Sequence, residues 1–268
     1  MNALAARRRH PAAIIVLLLL GLLVTGGLYA ALSPKPAAAA TATPDQVAQG
    51  KKLFLANCAT CHGLNAEGVG AGSASFGPSL VGVGAAAVDF QVGSGRMPLS
   101  RPGVQAPARS HAVFSPPQIA QLAAYVASLA PGPAIPEASM TSGSGPGVDI
   151  AKGGNLFRVN CAMCHNYAGS GGALTRGKYA PSLRNIPGNH IYEAMLTGPQ
   201  SMPVFNDTNL SPQDKNSIIG YLHQIDRTEN PGGLNLGNLG PVSEGLFIWT
   251  FGIGLVIACA VWLGSKAA

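Results

Sequence analysis

Charge is scarce in this 268-residue chain: Asp, Glu, Lys and Arg together make up 10% of it. Glycine and proline are plentiful by contrast, at 35 and 21 residues. That balance argues against a simple helical bundle and implies long loops. A basic patch is also missing. The formal net charge is +6, but Arg7, Arg8, Arg9 and Lys266 lie at the two ends, and Ser33 to Glu244 holds 13 basic against 11 acidic residues. The body of the chain is close to neutral and carries no electrostatic footprint for nucleic acid. The length suffices for two domains of ordinary size.

Two stretches lack charge altogether. Ala12 to Leu32, AAIIVLLLLGLLVTGGLYAAL, is long enough to cross a hydrocarbon core of about 30 Å at about 1.5 Å per residue. Arg7 to Arg9 precede it and orient a cytoplasmic N-terminus, residues 1–11. A cleaved signal peptide would share the basic start, the apolar run and the small residues of AAAATATP, but the run is long for that role and favours a retained anchor over 12–32. The second stretch, GLFIWTFGIGLVIACAVWLG at 245–264, has Trp249 and Trp262 towards its ends, where indoles favour the lipid–water interface, and Lys266 beyond it. It reads as a C-terminal transmembrane helix. Both ends are then cytoplasmic and the middle is exported. Cys259, the fifth and odd cysteine, falls inside this span and reads as a small apolar packing residue.

The middle of the chain is a tandem repeat. At an offset of 103, Gly50, Leu53, Phe54, Asn57, Cys58, Cys61 and His62 match Gly153, Leu156, Phe157, Asn160, Cys161, Cys164 and His165. FGPSL at 76–80 matches YAPSL at 179–183, RMP at 96–98 matches SMP at 201–203, and the closing segments from Ser115 and Ser211 match at an offset of 96. The first copy thus carries a longer loop, residues 99–114, before its last helix. Each closing helix is predicted to begin at a serine N-cap with proline in its first turn. Ile119, Leu122, Tyr125, Val126 and Leu129, and likewise Ile218, Ile219, Leu222 and Ile225, form one apolar stripe at helical period. The first domain is expected over 45–130 and the second over 148–227. Between them lies a Pro/Gly/Ser linker, 131–147, and after them a Gly/Pro-rich approach segment, 228–244.

A sizeable apolar core is missing too. Two or three short helices and so much loop bury little, so something large and apolar must fill each copy. Cys-x-x-Cys-His, present at Cys58–His62 and Cys161–His165, is the attachment signature of a c-type haem. Two thiols three positions apart each add to one vinyl group, and the adjacent histidine becomes the proximal iron ligand. The alternatives lack their context. The two cysteine pairs are far too distant in sequence for one zinc site, and no βαβ pattern surrounds either as in thioredoxin-like proteins. Met97 and Met202 lie 35 and 37 residues after His62 and His165, and each is followed by proline. A thioether is a soft ligand suited to an electron-transfer haem, so these two are the expected distal ligands. Met195 competes with Met202 but has no counterpart in the first copy. Met163 lies inside the attachment loop. His111, His190 and His223 also lack counterparts and read as surface or packing residues.

These motifs resemble the cytochrome c fold, twice. The expectation is a mainly α protein of two tandem cytochrome c-type domains with N- and C-terminal transmembrane helices. The resemblance implies that leading and closing helices cross at Gly50 with Tyr125 and at Gly153 with Tyr221. It also implies that the carbonyls of Pro78 and Pro181 orient the proximal histidines. With the C-terminal span and its NPGGLNLGNLGPVSEGLFIW approach, the whole chain resembles the dihaem cytochrome cc subunit of the actinobacterial cytochrome bcc complex. That implies two covalently attached c-type haems and a place in the plasma membrane as a multi-pass protein, its haem domains extracytoplasmic. The implied partners are a cytochrome b subunit, a Rieske iron–sulfur subunit that donates electrons, and a cytochrome c oxidase that takes them, all within a quinol-oxidising complex. A membrane-tethered dihaem carrier, the cytochrome subunit of a dehydrogenase and a dihaem peroxidase are the competing readings. Paired Met97 and Met202 argue against the peroxidase, which needs an open iron position.

Overall fold

The computed structural model describes residues 11–32, 42–70, 77–101, 103–228 and 241–266. The expected cytoplasmic start with Arg7 to Arg9, and 229–240 of the expected approach segment, lie outside the described residues. Contacts divide the chain into two units, Met1–Thr41 and Ala42–Ala268.

The first unit contains helix α1, Pro11–Leu32. Its window Ala12–Tyr29 is uncharged and no part of it is buried, so it is long and apolar enough to cross a membrane.

The second unit begins with α2, Pro44–Asn57, opened by a capping box in which Thr43 and Gln46 satisfy each other's backbone N–H groups. Then come the short α3, Ala59–His62, and α4, Gly84–Gly93. Helix α5, Pro116–Leu129, starts at Ser115 with Gln118 completing a second capping box, as the sequence pattern predicts. Helices α2 and α5 cross at Gly50, where a Cβ would stand 1.9 Å from the Gln121 carbonyl oxygen. Only glycine lets the two backbones meet so closely. Beside that crossing Phe54 packs on Tyr125, ring centroids 5.2 Å apart, in a core with Leu122 and Val126.

The second domain repeats the plan. Helix α6, Ala138–Thr141, precedes α7, Ile150–Asn160, and α8, Ala162–His165. A minimal antiparallel pair, β1 Gly172–Ala173 and β2 Tyr179–Ala180, leads to α9, Gly188–Thr197, and α10, Pro212–Arg227. Helices α7 and α10 cross at Gly153, whose Cβ would lie 2.0 Å from the Ser217 carbonyl oxygen. The Tyr221 ring lies against Gly154, 2.9 Å from where its Cβ would be, because the two adjacent glycines share the two contacts.

Two differences from the sequence reading have physical causes. Helix α4 lies in what reads as loop. Its Ala86, Val88, Phe90 and Val92 are buried in alternation because α5 and α9 pack against it, so it shows no amphipathic stripe. The 131–147 linker is anchored at several points. Ala86 N–H donates to the Pro133 carbonyl (3.1 Å), Gly143 N–H to Asn216 Oδ1 (2.8 Å), and Asn216 Nδ2 to the Ser139 carbonyl (3.0 Å).

The described chain ends with α11, Pro241–Phe247, a π-turn over Ile248–Ile253, and α12, Gly254–Lys266. Glu244–Lys266 is a 23-residue, predominantly apolar helical stretch with none of it buried, a second length able to cross a membrane.

Candidate functional site

Each Cys-x-x-Cys-His motif folds as one tight helical turn at the end of a leading helix. In the first, His62 N–H donates to the Cys58 carbonyl (2.9 Å); in the second, His165 N–H donates to the Cys161 carbonyl (2.9 Å). Left-handed conformations at Gly63 (φ 82°) and Asn166 (φ 68°) stop the turn and send the chain back beneath it. The returning loops are tied alike: Gly68 N–H to the His62 carbonyl at 2.7 Å, Gly171 N–H to the His165 carbonyl at 2.8 Å.

The returning loop also reaches each imidazole. His62 Nδ1 donates to the Pro78 carbonyl at 2.7 Å, and His165 Nδ1 donates to the Pro181 carbonyl at 2.9 Å. A carbonyl can only accept, so the proton sits on Nδ1 and Nε2 presents a lone pair. This is how a ligating histidine is oriented in metal sites. Burial lowers the His165 pKa, partly opposed by the Pro181 carbonyl, so the ring is held neutral at pH 7.

No disulfide joins any of the four motif cysteines. Burial, then the neighbouring thiol, pushes Cys58 up to about 11 and Cys161 up to about 12. A redox-active Cys-x-x-Cys pair needs a depressed pKa on its attacking thiol, the opposite of the direction at Cys58 and Cys161.

Above the second motif lies a cavity of about 590 Å³, into which Cys161, Cys164, His165 and Met202 all face. Its walls are mostly apolar, with Leu174, Leu183, Ile186, Ile191 and Phe205 among them. Met195 also lines it, but that side chain is 2% exposed and packs in the core of the second domain. In the first domain Met97 packs, partly buried, on the core cluster together with Cys58 and Leu80.

Comparison with known proteins is decisive at this point. The chain is 45% identical to the cytochrome bc1 complex cytochrome c subunit of Corynebacterium efficiens over 92% of its length and 86% of the relative's. It is 46% identical to the subunit of the same name from Mycobacterium leprae, covering 92% of this chain and 85% of that one. This chain belongs to the cytochrome bc1 complex cytochrome c subunits. A further member, from Corynebacterium diphtheriae, is 44% identical over 92% of this chain and 91% of its own. The family model for cytochrome c matches residues 47–130, and the one described as cytochrome c oxidase, cbb3-type, subunit III matches 148–222. Both halves of this bc1-type cytochrome c subunit are therefore cytochrome c domains, and its cofactors are two covalent c-type haems.

The residues present fit such a group. Each motif offers two thiols within one helical turn and an imidazole whose Nε2 is left for iron. At the second motif an apolar cavity stands above them, with the Met202 thioether in its wall.

Two features were not legible in the sequence. The second cavity is walled partly by the first domain, through Phe90, Arg96, Gln105 and Arg109. The long 99–114 loop supplies two of these and is strapped to the second domain. Ala106 N–H donates to Gln200 Oε1 (3.1 Å), and Gln200 Nε2 donates back to the Ala106 carbonyl (3.2 Å). His190 is the other. It reads as a packing residue, yet its ring stands edge-on to Phe90 and lies in a cluster with Asp89 and Glu193. No sequence signal marks that cluster, because α4 and α9 meet only in the tertiary structure.

Proposed function

We propose that this subunit is a two-step electron relay inside a membrane-bound, quinol-oxidising respiratory complex. Cys58 and Cys61 hold the first haem covalently, with His62 and Met97 as its axial ligands. Cys161 and Cys164 hold the second, with His165 and Met202. Pro78 and Pro181 orient the two histidines. A haem with two protein axial ligands supplies outer-sphere one-electron transfer and has no position for substrate. The chain then has no substrate chemistry of its own and acts as the electron-transfer subunit of a quinol–cytochrome c reductase.

Electrons enter the first domain from a Rieske iron–sulfur subunit and leave the second for a cytochrome c oxidase, with a cytochrome b subunit beside the membrane helices. The relatives' common name, which places them in a bc1 complex, supports the assembly. The observation that carries the relay is the shared wall: first-domain residues line the cavity of the second motif, so the two cytochrome domains pack together around the second haem site. The near-neutral body fits stable docking better than field-steered shuttling. We place both chain ends in the cytoplasm and both haem domains outside it, with the domain limits at 45–130 and 148–227.

The test is purification in mild detergent through a C-terminal tag, with spectra and subunit identification. Copurifying b- and a-type haems, and c haems reduced by quinol, are expected. A dihaem protein that emerges alone and stays oxidised in quinol is a tethered carrier, and the relay reading fails. Met97→Ala and Met202→Ala are each expected to lower one haem potential, because the thioether raises it. An unchanged potential in either would remove that methionine as a ligand.

A further inference from the structure

Helix α4 of the first domain and helix α9 of the second meet around three side chains with no ligand role in the electron relay, although one of them, His190, also lines the cavity of the second motif. Asp89 comes from α4. His190 and Glu193 come from α9, where their spacing of three puts them on one face. One ligand atom of each lies within 4.8 Å of the others. Glu193 is 0% exposed, and among the described residues its ionised oxygens meet no donor; only the protonated form can bond, to the neighbouring Asp89 carboxylate. A buried carboxyl without partners is costly, and a native protein rarely keeps one without reason. The imidazole has been given room: a Cβ on Gly93 would stand 2.9 Å from His190 Nε2.

We propose that Asp89, His190 and Glu193 bind a divalent transition-metal cation, Zn2+ by ligand type, which staples the first cytochrome c domain to the second. One imidazole and two carboxylates suit zinc, whereas calcium and magnesium take oxygen ligands. In a tetrahedral site, zinc bonds of about 2.0–2.2 Å set ligand atoms about 3.3–3.6 Å apart, so side-chain rotations must draw the three groups together by about 1 Å to close the site. The chemistry of the empty cluster agrees. Burial, then the neighbouring Asp89, raises the Glu193 pKa to about 10, so without a cation the carboxyl keeps its proton. The metal takes the place of that proton and satisfies the orphaned oxygens. Arg96, stacked over Phe90 with its guanidinium 4.7 Å from the ring centre, adds a positive charge that also bears on His190 and tempers the affinity.

The full-length dihaem protein in detergent, equilibrated with zinc sulfate and desalted, is expected to retain one zinc for every two haem irons. Asp89→Asn and Glu193→Gln are each expected to weaken retention about tenfold or more. Their haem spectra should stay unchanged, which shows that both variants fold. Zinc-edge X-ray absorption of the unaltered protein should report one imidazole with oxygen ligands and no sulfur, a readout that needs no variant. A protein that retains no zinc overturns the proposal and leaves Glu193 as a protonated acid paired with Asp89. Sulfur ligation, or retention unaffected in both folded variants, overturns it equally.

Discussion

Gln105, in the long loop of the first domain, and Tyr179, in the second, exchange two hydrogen bonds: Gln105 Nε2 donates to the Tyr179 carbonyl at 2.7 Å and Tyr179 N–H donates to Gln105 Oε1 at 2.8 Å. A side-chain amide here completes the edge of a backbone strand across the domain boundary. Gln200 repeats the arrangement in reverse by gripping the backbone of Ala106. The loop is thus a strap over the second haem cavity and is held at both ends of one short segment.

Gln105→Ala removes two hydrogen bonds at once and is expected to loosen the strap by about 1–2 kcal/mol. Hydrogen exchange should show the Tyr179 amide losing protection while the amides of α5 keep theirs. Equal protection at Tyr179 in variant and parent would mean that the strap is held by other contacts.

Gly153→Ala puts a methyl group 2.0 Å from the Ser217 carbonyl, a backbone atom that cannot step aside alone. A destabilisation of about 1–3 kcal/mol or more is expected, seen as a lower thermal midpoint for the second domain. Gly50→Ala should do the same in the first domain. Gly103→Ala, whose Cβ would meet nothing closer than the Gln105 carbonyl oxygen at 3.6 Å, is the comparison that should change little.

Met195 and Met202 line the same cavity but differ in burial, and substitution separates their roles. Met195→Ala empties a fully packed core position and should cost about 2–5 kcal/mol of stability without moving a haem potential. Met202→Ala should lower the second potential with a smaller stability loss. The reverse pattern in a redox titration would exchange the two assignments.

Asp214 closes the capping box of α10 and pairs with Lys152 of α7 at 2.5 Å. Its pKa is lowered, first by the hydrogen bond from Lys152 and further by Ser211. A carboxyl lowered in the folded state stabilises it above the ordinary value of 3.8 and loses that contribution as pH falls through the folded pKa. Because its Lys152 partner is exposed and screened by solvent, Asp214→Asn should cost only a small fraction of the stability near neutral pH and nearly nothing in strong acid. Equal losses at both pH values in chemical denaturation would exclude the charge as the cause.

Much of this protein is written in local patterns. The two Cys-x-x-Cys-His turns, the serine caps with proline behind them and the apolar closing stripes each follow from residues within a few positions of one another. Short-range hydrogen bonds and helical period are enough to specify such features. The two uncharged runs are likewise long enough to cross a membrane by composition alone. That Gly154 as well as Gly153 is needed at the second crossing, to seat the Tyr221 ring, shows only where the two helices meet. Helix α4 was hidden because burial by two neighbours erases the polar face that marks a helix in sequence. The strap from Gln105 to Tyr179 depends on partners 74 positions apart, and the cluster of Asp89, His190 and Glu193 on partners roughly a hundred apart. Residue type and spacing determined what each domain binds, whereas packing of one domain on the other decided how the second cavity is closed and which polar groups are buried with it. Contacts at that sequence separation arise only after chain closure, and no local pattern encodes them.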